Sequence, residues 1–343
     1  MEGNIYQIIW FVLWAVLWTG YFVLDGFDLG AGSLIYVLGK TEADRKAIYS
    51  SIGPFWDGNE VWLITAGGAT FAAFPKVYAV MFSSLYSALL LLLFCLIIRG
   101  VAVEYRNKME SKVWKTLWDL AFFLGSILPA FLFGVAFANI FAGLPIDKNG
   151  LYHGSFWTLI HPYSLVAGVL FVVCFAMHGA NWIAFKTTGE LADRANSVAR
   201  KLWALTLVLM FIFFLGSYLS TNLWVNYEKY PILLVFPGIA LLGLALVPGG
   251  LITKNHLLAW VGSCFTILGF SAWAFAGLFP NMLPSSLNPA WSLTCFNSSS
   301  SVLTLKVMTV VAFVFVPIML GYTYWAYKIF AFNNKKTSEA GTY

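Results

Sequence analysis

Two short motifs place pairs of carboxylic acids inside apolar segments. The motif DGFDLG contains Asp25 and Asp28, and the motif PFWDGNEVW contains Asp57 and Glu60. The acids of each pair are three residues apart, so each pair shares one face of a helix. Because an ionised carboxylate is costly in an apolar helix, a buried acid tends to keep its proton and to exchange it near neutral pH. We therefore predict a proton path through these residues, with Asp25 and Asp57 as the deeper relay acids.

A simpler role for these acids is helix capping, in which a carboxylate accepts hydrogen bonds from backbone amides where a helix is broken. This alternative weighs most for Asp28 and Glu60. Two further acids lie near the ends of apolar segments. Glu104, which is close to Arg106, is predicted to form an ion pair at the membrane interface, and Asp119 is interpreted in the same way.

Glycines beside the acids predict close helix packing. The pattern Gly26-x-x-x-Gly30 and the pair Gly67-Gly68 would let a neighbouring helix approach the backbone. Whether that neighbour belongs to this chain or to another subunit stays open at this point. The residues that we assign to a structural interface are Gly26, Gly30, Trp56 and Glu104.

Ligands for a metal or a haem are poorly represented. Only His178 lies well inside an apolar segment, and no HxxE, HExxH or CxxC spacing occurs, so the sequence predicts no metal site and no haem ligand pair. A tryptophan stripe on the first helix is expected to pack in the core or against lipid rather than to relay electrons. It consists of Trp10, Trp14 and Trp18.

These side chains must be positioned by helices that cross a membrane. The chain has 343 residues, of which 60% are hydrophobic and only 10% are charged. This composition excludes a soluble globular enzyme, a disordered chain and a nucleic-acid binder, because soluble domains have roughly 25% charged residues. A bilayer core needs about 20 apolar residues per helix. We therefore predict an all-α polytopic protein with nine spans, at 6–37, 51–74, 77–103, 114–143, 161–185, 199–220, 231–252, 256–277 and 302–331.

The distribution of Lys and Arg predicts the orientation of these spans. With nine spans, sixteen basic residues fall on one side and three on the other, with Lys306 at the mouth of the last helix. The positive-inside rule then puts the N-terminus outside and the C-terminus in the cytoplasm, with both acid pairs towards the cytoplasmic side. We expect one transmembrane domain over 1–343, built as two four-helix groups and one peripheral helix. A short polar cytoplasmic tail is expected at 332–343.

Long motifs make the chain resemble subunit II of the bacterial cytochrome bd quinol oxidases. They are the two acid motifs, the continuation LITAGG and FAAFP, the segment RGVAVEYR that begins at Arg99, and the late segments FPNMLPSS and LTLKVMT. The resemblance extends over essentially the whole chain. Some members of that family have Gln at the position of Glu60.

The resemblance implies a fold, partners and a function. It implies a nine-helix, haem-free subunit in the bacterial cytoplasmic membrane, whose partner subunit I holds haems b and d, oxidises quinol near the outer face and reduces oxygen to water. It also implies that Asp25 and Asp57 pass cytoplasmic protons towards the oxygen-reducing haem. Other expected partners are lipid, a structural quinone and a small single-helix accessory subunit, but no nucleic acid. Two alternatives stay open: an ion-coupled secondary transporter that uses the acids, and a purely structural anchor.

Overall fold

The structure is a computed structural model, and it describes residues 3–333. From residue 334 onwards, the predicted polar tail lies outside the described residues, as do Lys335 and Lys336 of the basic-residue count.

The described residues are almost entirely helical. Short 3₁₀ turns join several helices, a π-helical turn follows the last one at Lys328–Asn333, and a small antiparallel hairpin pairs β1 (Asn281–Leu283) with β2 (Leu293–Thr294). The helices are α1 (Ile5–Leu24), α2 (Gly26–Ser33), α3 (Ile35–Leu38), α4 (Glu42–Ile52), α5 (Trp56–Ala73), α6 (Pro75–Ser84), α7 (Tyr86–Tyr105), α8 (Lys112–Ala142), α9 (Pro162–Lys186), α10 (Gly189–Ser220), α11 (Val225–Lys229), α12 (Val235–Ile252), α13 (His256–Leu278) and α14 (Val302–Tyr327).

Eight helical segments of the described chain are long and apolar enough to cross a membrane. They correspond to eight of the nine predicted spans, and the segment without a counterpart among them is the predicted span 51–74. That region contains α5, whose 18 residues include two acids and an asparagine. These eight segments are Ile5–Ser33, Tyr86–Lys108, Lys112–Ala142, Pro162–Lys186, Gly189–Ser220, Pro231–Ile252, His256–Leu278 and Val302–Phe332.

Helix α5 nevertheless runs antiparallel beside α1 along most of its length. Near one end, the indole Nε1 of Trp14 donates a hydrogen bond to Thr70 Oγ1 at 2.9 Å. Near the other end, the amide Nδ2 of Asn59 donates to the carbonyl oxygen of Leu24 at 3.0 Å. The two helices therefore lie side by side over most of their length, with the start of α5 beside the end of α1.

The enclosed part of the bundle is formed by α9 and α13, which pack against α1, α8, α10 and α12. Helix α2 crosses α9 at very close range, because a Cβ atom on Gly30 would collide with the backbone of Phe175 and one on Gly179 would collide with Gly30. The open question about the glycine pattern is thereby answered: its partner helix is internal. The tryptophan stripe of α1 is buried and belongs to the core. By contrast, α14 is peripheral, because among its residues only Leu305, Thr309 and Tyr327 are buried.

The two ends of the bundle differ in construction. At the end where α1 begins, the β1–β2 hairpin region is fastened to the helices: Gln7 Nε2 donates to Ser299 Oγ at 2.8 Å, and the Ser300 amide donates to the Ala73 carbonyl at 2.8 Å. At the opposite end lie the polar helix α4, the break between α1 and α2, and the start of α5. The acid motifs therefore lie together at the α4 end.

Candidate functional site

The break between α1 and α2 occurs at Asp25, which is the residue that caps both helices. Its side chain makes no capping hydrogen bond. Instead, both carboxylate oxygens accept hydrogen bonds from Arg99 on α7, Oδ2 from Nη1 at 3.0 Å and Oδ1 from Nη2 at 2.9 Å. The two contacts form a bidentate arginine–carboxylate ion pair, a geometry that gives strong hydrogen bonds, and both side chains are buried. The capping interpretation is wrong for Asp25.

The two remaining inward acids contact the same region. Glu60 Oε2 lies 3.4 Å from Arg99 Nη2, and the Glu60 side chain keeps 20% of its surface exposed. Asp28 is fully buried, and its Oδ2 accepts a hydrogen bond from Asn59 Nδ2 at 2.7 Å. Its Oδ1 has no hydrogen-bond partner among the described residues. Asp28 and Glu60 therefore bond to side chains, and capping does not explain them.

Asn59 connects this region to the last helix. Its Nδ2 also donates to the Leu24 carbonyl, and its Oδ1 accepts a hydrogen bond from the hydroxyl of Tyr327 at 3.0 Å. Tyr327 is the final residue of α14, and its ring packs on Phe55 at a centroid distance of 4.7 Å. The start of α5 and the end of α14 are thereby joined at one amide.

We call the set Asp25, Asp28, Asn59, Glu60 and Arg99 the acid-rich cluster. In the described structure it has three carboxyl groups and one cation, so full ionisation would leave two net negative charges in a largely buried region. An uncompensated buried charge is expensive, and the group usually keeps its proton instead. The arrangement can therefore hold and exchange protons.

Asp57 lies elsewhere. It is exposed on the first turn of α5, so the face that Asp57 and Glu60 are predicted to share does not bring Asp57 into the cluster. The reason is the rotation of α5, which turns Asn59 rather than Asp57 towards α1. Along the same helix, a Cβ atom on Gly58, Gly67 or Gly68 would meet no atom within 4 Å. Gly67 and Gly68 thus have no close-packed neighbour in the part of the chain that the structure describes.

A second ionic group lies at the same end, and we call it the paired network. Its central contacts involve buried Arg106, whose Nε lies 2.7 Å from Asp119 Oδ1 and whose Nη2 lies 2.9 Å from Glu42 Oε2. Asp119 also receives Arg45 Nη1 at 2.7 Å. The paired network has three acids and three bases: Glu42, Glu110 and Asp119, with Arg45, Arg106 and Lys115.

Charge pairing in this network has a consequence for Glu42, which lies outside the membrane-spanning segments. The hydrogen bond from Arg106 lowers the pKa of Glu42 to about 2.

The prediction of an ion pair is confirmed for Asp119 and wrong for Glu104, which is exposed and forms no ion pair within residues 3–333. Arg106, the basic residue nearest to Glu104 in the sequence, instead pairs with Glu42 and Asp119.

The remaining interface residues have plain packing roles. Gly26 faces the ring of Phe175, and Trp56 packs over Gly100 of α7. These contacts are internal to the chain, so they hold α2 against α9 and α5 against α7.

Three residues of the site were not identified from the sequence: Arg99, Asn59 and Tyr327. Arg99 carried a signal, because it follows a long apolar run on α7, and a cation at such a position normally pairs with an acid. Asn59 lies between Asp57 and Glu60, and its neutral side chain gives no comparable signal. Tyr327 carried no signal, because it is separated from Asn59 by most of the chain.

Two of the four histidines are engaged in hydrogen bonds within the described chain. The ring nitrogens of buried His178 are both engaged, Nδ1 with Ser263 Oγ at 2.7 Å and Nε2 with the Val23 carbonyl at 3.0 Å. His161 likewise contacts Asn139 and the Ser164 amide. No group of three metal-binding side chains occurs within the described range.

Comparisons with known proteins agree on one family. The family model described as cytochrome bd terminal oxidase subunit II matches residues 6–330. The chain is 37% identical to the cytochrome bd-I ubiquinol oxidase subunit 2 of Escherichia coli, with 100% of this chain and 99% of that protein covered. It is 35% identical to the cytochrome bd ubiquinol oxidase subunit 2 of Bacillus subtilis, with 94% and 95% covered. Its fold is similar to a chain of the bd oxidase structure from Geobacillus thermodenitrificans, with a TM-score of 0.78, 16% identity, and 96% and 100% covered.

Proposed function

The chain belongs to the cytochrome bd terminal oxidase subunit II family, and on that premise we propose that it is the haem-free subunit that supplies cytoplasmic protons to a quinol oxidase. Its working partner is subunit I, which holds the haems and supplies the chemistry of quinol oxidation and oxygen reduction. The observation that carries the proton role is the acid-rich cluster, in which three carboxyl groups share one arginine.

The nine-span topology is part of this proposal. Helix α5 is too polar to be identified as a span by composition, but its antiparallel contacts with α1 support the same depth. Its 18 residues correspond to about 27 Å, close to the thickness of the bilayer core. With α5 as the second span, the paired network and most basic residues lie at the cytoplasmic end, and the N-terminus lies outside. The chain then belongs in the bacterial cytoplasmic membrane.

The exposed face of α5 supports a contact with subunit I. An exposed carboxylate on a membrane helix is unfavourable against lipid, so Asp57 needs a polar neighbour or water. The unoccupied backbone at Gly58, Gly67 and Gly68 leaves room for a helix of another subunit. We therefore place Asp57 at the boundary between the two subunits, where it receives protons from the cytoplasmic side.

Within this chain, the route continues to the acid-rich cluster. Glu60 follows Asp57 by three residues in the first turn of α5, and its partly exposed carboxylate contacts Arg99. Asp25 is held by two hydrogen bonds from Arg99, which makes it the counter-ion of that cation more than a mobile relay. Asp28, which contacts no cation, is the acid best suited to hold a proton. This assignment moves the relay role from Asp25 to Asp28.

The energetic result of the proposed reaction is charge separation. Protons consumed in oxygen reduction come from the cytoplasm, while quinol oxidation near the outer face releases protons outside. A structural quinone in this subunit, bound lipid and a small single-helix accessory subunit remain parts of the proposal that come from family resemblance.

An ion-coupled secondary transporter is the rival function, and family membership does not favour it. Purification of the protein distinguishes the two functions. An oxidase subunit purifies with a haem-bearing partner and a visible absorption spectrum, whereas a transporter purifies alone and colourless.

The proton role is tested by Asp57→Asn in the complex purified from the membrane. We expect normal haem content and a fall in oxygen consumption of about tenfold or more, because a proton-transfer group has been removed. The matched control is Asp193→Asn, which changes an acid that is 66% exposed and pairs only with the exposed Lys254 within the described chain. Equal oxygen consumption in Asp57→Asn, Asp193→Asn and the unmodified complex would remove Asp57 from the route.

A further inference from the structure

The amide of Asn59 has only one orientation compatible with its neighbours. Its Nδ2 lies within hydrogen-bond distance of the Leu24 carbonyl, and a carbonyl can only accept. The second hydrogen on Nδ2 is therefore directed at Asp28 Oδ2, 2.7 Å away. Asn59 Oδ1 has no hydrogen, so the Tyr327 hydroxyl must be the donor in the remaining contact. All three hydrogen bonds of the amide are fixed in direction.

This orientation decides which oxygen of Asp28 can bear a proton. Because Oδ2 accepts from Asn59, and the carbonyl oxygen of a carboxylic acid is its better acceptor, this contact favours a proton on Oδ1, which has no partner among the described residues and is fully buried. The alternative, an ionised Asp28, would leave a buried charge with one neutral donor, near Asp25 and Glu60 and without a contact to Arg99. Such a charge is expected to be neutralised.

We infer that Asp28 is a carboxylic acid with its proton on Oδ1 and that Asn59 and Tyr327 are positioning residues that keep the proton there. Tyr327 acts through Asn59: its hydroxyl holds Asn59 Oδ1 away from Asp28, so the amide always offers a donor to Oδ2. The exchangeable proton therefore lies on the oxygen that Asn59 does not contact. This inference deepens the proposed proton supply and rests on it only for the use of the proton.

Infrared spectroscopy of the purified complex tests the protonation directly, because a protonated carboxyl group has a C=O stretching band that a carboxylate lacks. We expect one such band to disappear in Asp28→Asn. In Asn59→Leu the band should move to higher frequency, since the carbonyl oxygen Oδ2 loses its hydrogen bond. In Tyr327→Phe, which keeps the ring, a smaller shift in the same direction is expected.

The matched control is Tyr324→Phe, which removes a hydroxyl from the same helix at a position that is 67% exposed and should leave the band unchanged. A complete set of bands in Asp28→Asn would mean that Asp28 is ionised and would overturn the inference. An unshifted band in both Asn59→Leu and Tyr327→Phe would overturn the positioning role. Oxygen consumption by Asp28→Asn is a separate readout: normal turnover with a lost band would reject the proton supply but keep the protonated acid.

Discussion

The acid-rich cluster and the paired network are built from the same side-chain types, yet their charge balance differs. In the paired network, three acids meet three bases, and Asp119 is held by two arginines. In the acid-rich cluster, one arginine serves three acids, and Asp28 depends on a neutral amide. Burial of an acid therefore does not by itself indicate function. Under the proposed function, the feature that distinguishes the proton-holding site from the structural one is its deficit of cations, which makes ionisation of all three acids unfavourable.

The largest expected effect is the loss of the single cation of the acid-rich cluster. In Arg99→Leu, the buried carboxylate of Asp25 loses both of its hydrogen bonds, and breaking a buried pair costs about 3 to 5 kcal/mol. We expect a large fall in the yield and thermal stability of the complex. The double variant Arg99→Leu/Asp25→Leu should recover part of that stability, because it leaves no unpaired partner of the ion pair. Normal stability in the single variant would contradict the assignment of Asp25 as the counter-ion of Arg99.

A smaller loss is expected in the paired network. In Asp119→Asn, both arginines keep other acceptors: Arg106 keeps Glu42, and Arg45 keeps the Gly39 carbonyl. Weakening the charged hydrogen bonds should cost about 2 to 3 kcal/mol. Thermal unfolding of the complex measures this loss. The assembled fraction should consume oxygen normally, and a turnover defect at full assembly would show that the network also serves the reaction.

The comparison becomes sharpest with Asp28→Asn. An amide can still accept the hydrogen bond from Asn59, and no cation is left unpaired, so the stability should change by less than about 1 kcal/mol. The same acid-to-amide change is thus expected to be tolerated in the acid-rich cluster and destabilising at Asp119. Thermal unfolding of the two variants side by side gives the test. Equal losses in both would mean that Asp28 is ionised like Asp119.

The smallest effect concerns pH. Because the folded-state pKa of Glu42 is lowered from 4.5 to about 2, its pairing stabilises the fold above pH 4.5, and this contribution is lost as the pH falls from about 4.5 to about 2. The Glu42 side chain is 46% exposed, so the contribution is modest. We expect Glu42→Gln to reduce the acid dependence of unfolding in that window. An unchanged acid dependence would mean that Glu42 is not paired in the complex.

Much of the architecture could be predicted from the sequence, since the length and position of apolar segments determine most spans. The meeting of the two acid motifs was also predictable, because depth follows from counting residues along two antiparallel helices. The rotation of α5 was not predictable: the spacing of Asp57 and Glu60 indicates a shared face but not which neighbour that face meets. Arg99 was counted as a cytoplasmic charge, although it is buried against Asp25. Contacts between distant segments, such as Asn59 with Tyr327, have no local pattern at all.

The position of Tyr327 on α14 has a consequence for biogenesis. Within residues 3–333, the other long apolar helices all precede α14 in the sequence. Helix α14 itself is attached mainly near its two ends, through Trp10 to Thr309 and through Tyr327 to Asn59, with Lys186 donating to the Phe330 carbonyl just beyond it. A nascent chain can therefore insert and fold its enclosed core while Asn59 still lacks its hydroxyl donor. Before α14 docks, the amide that bonds to Asp28 would therefore lack one of its three hydrogen bonds.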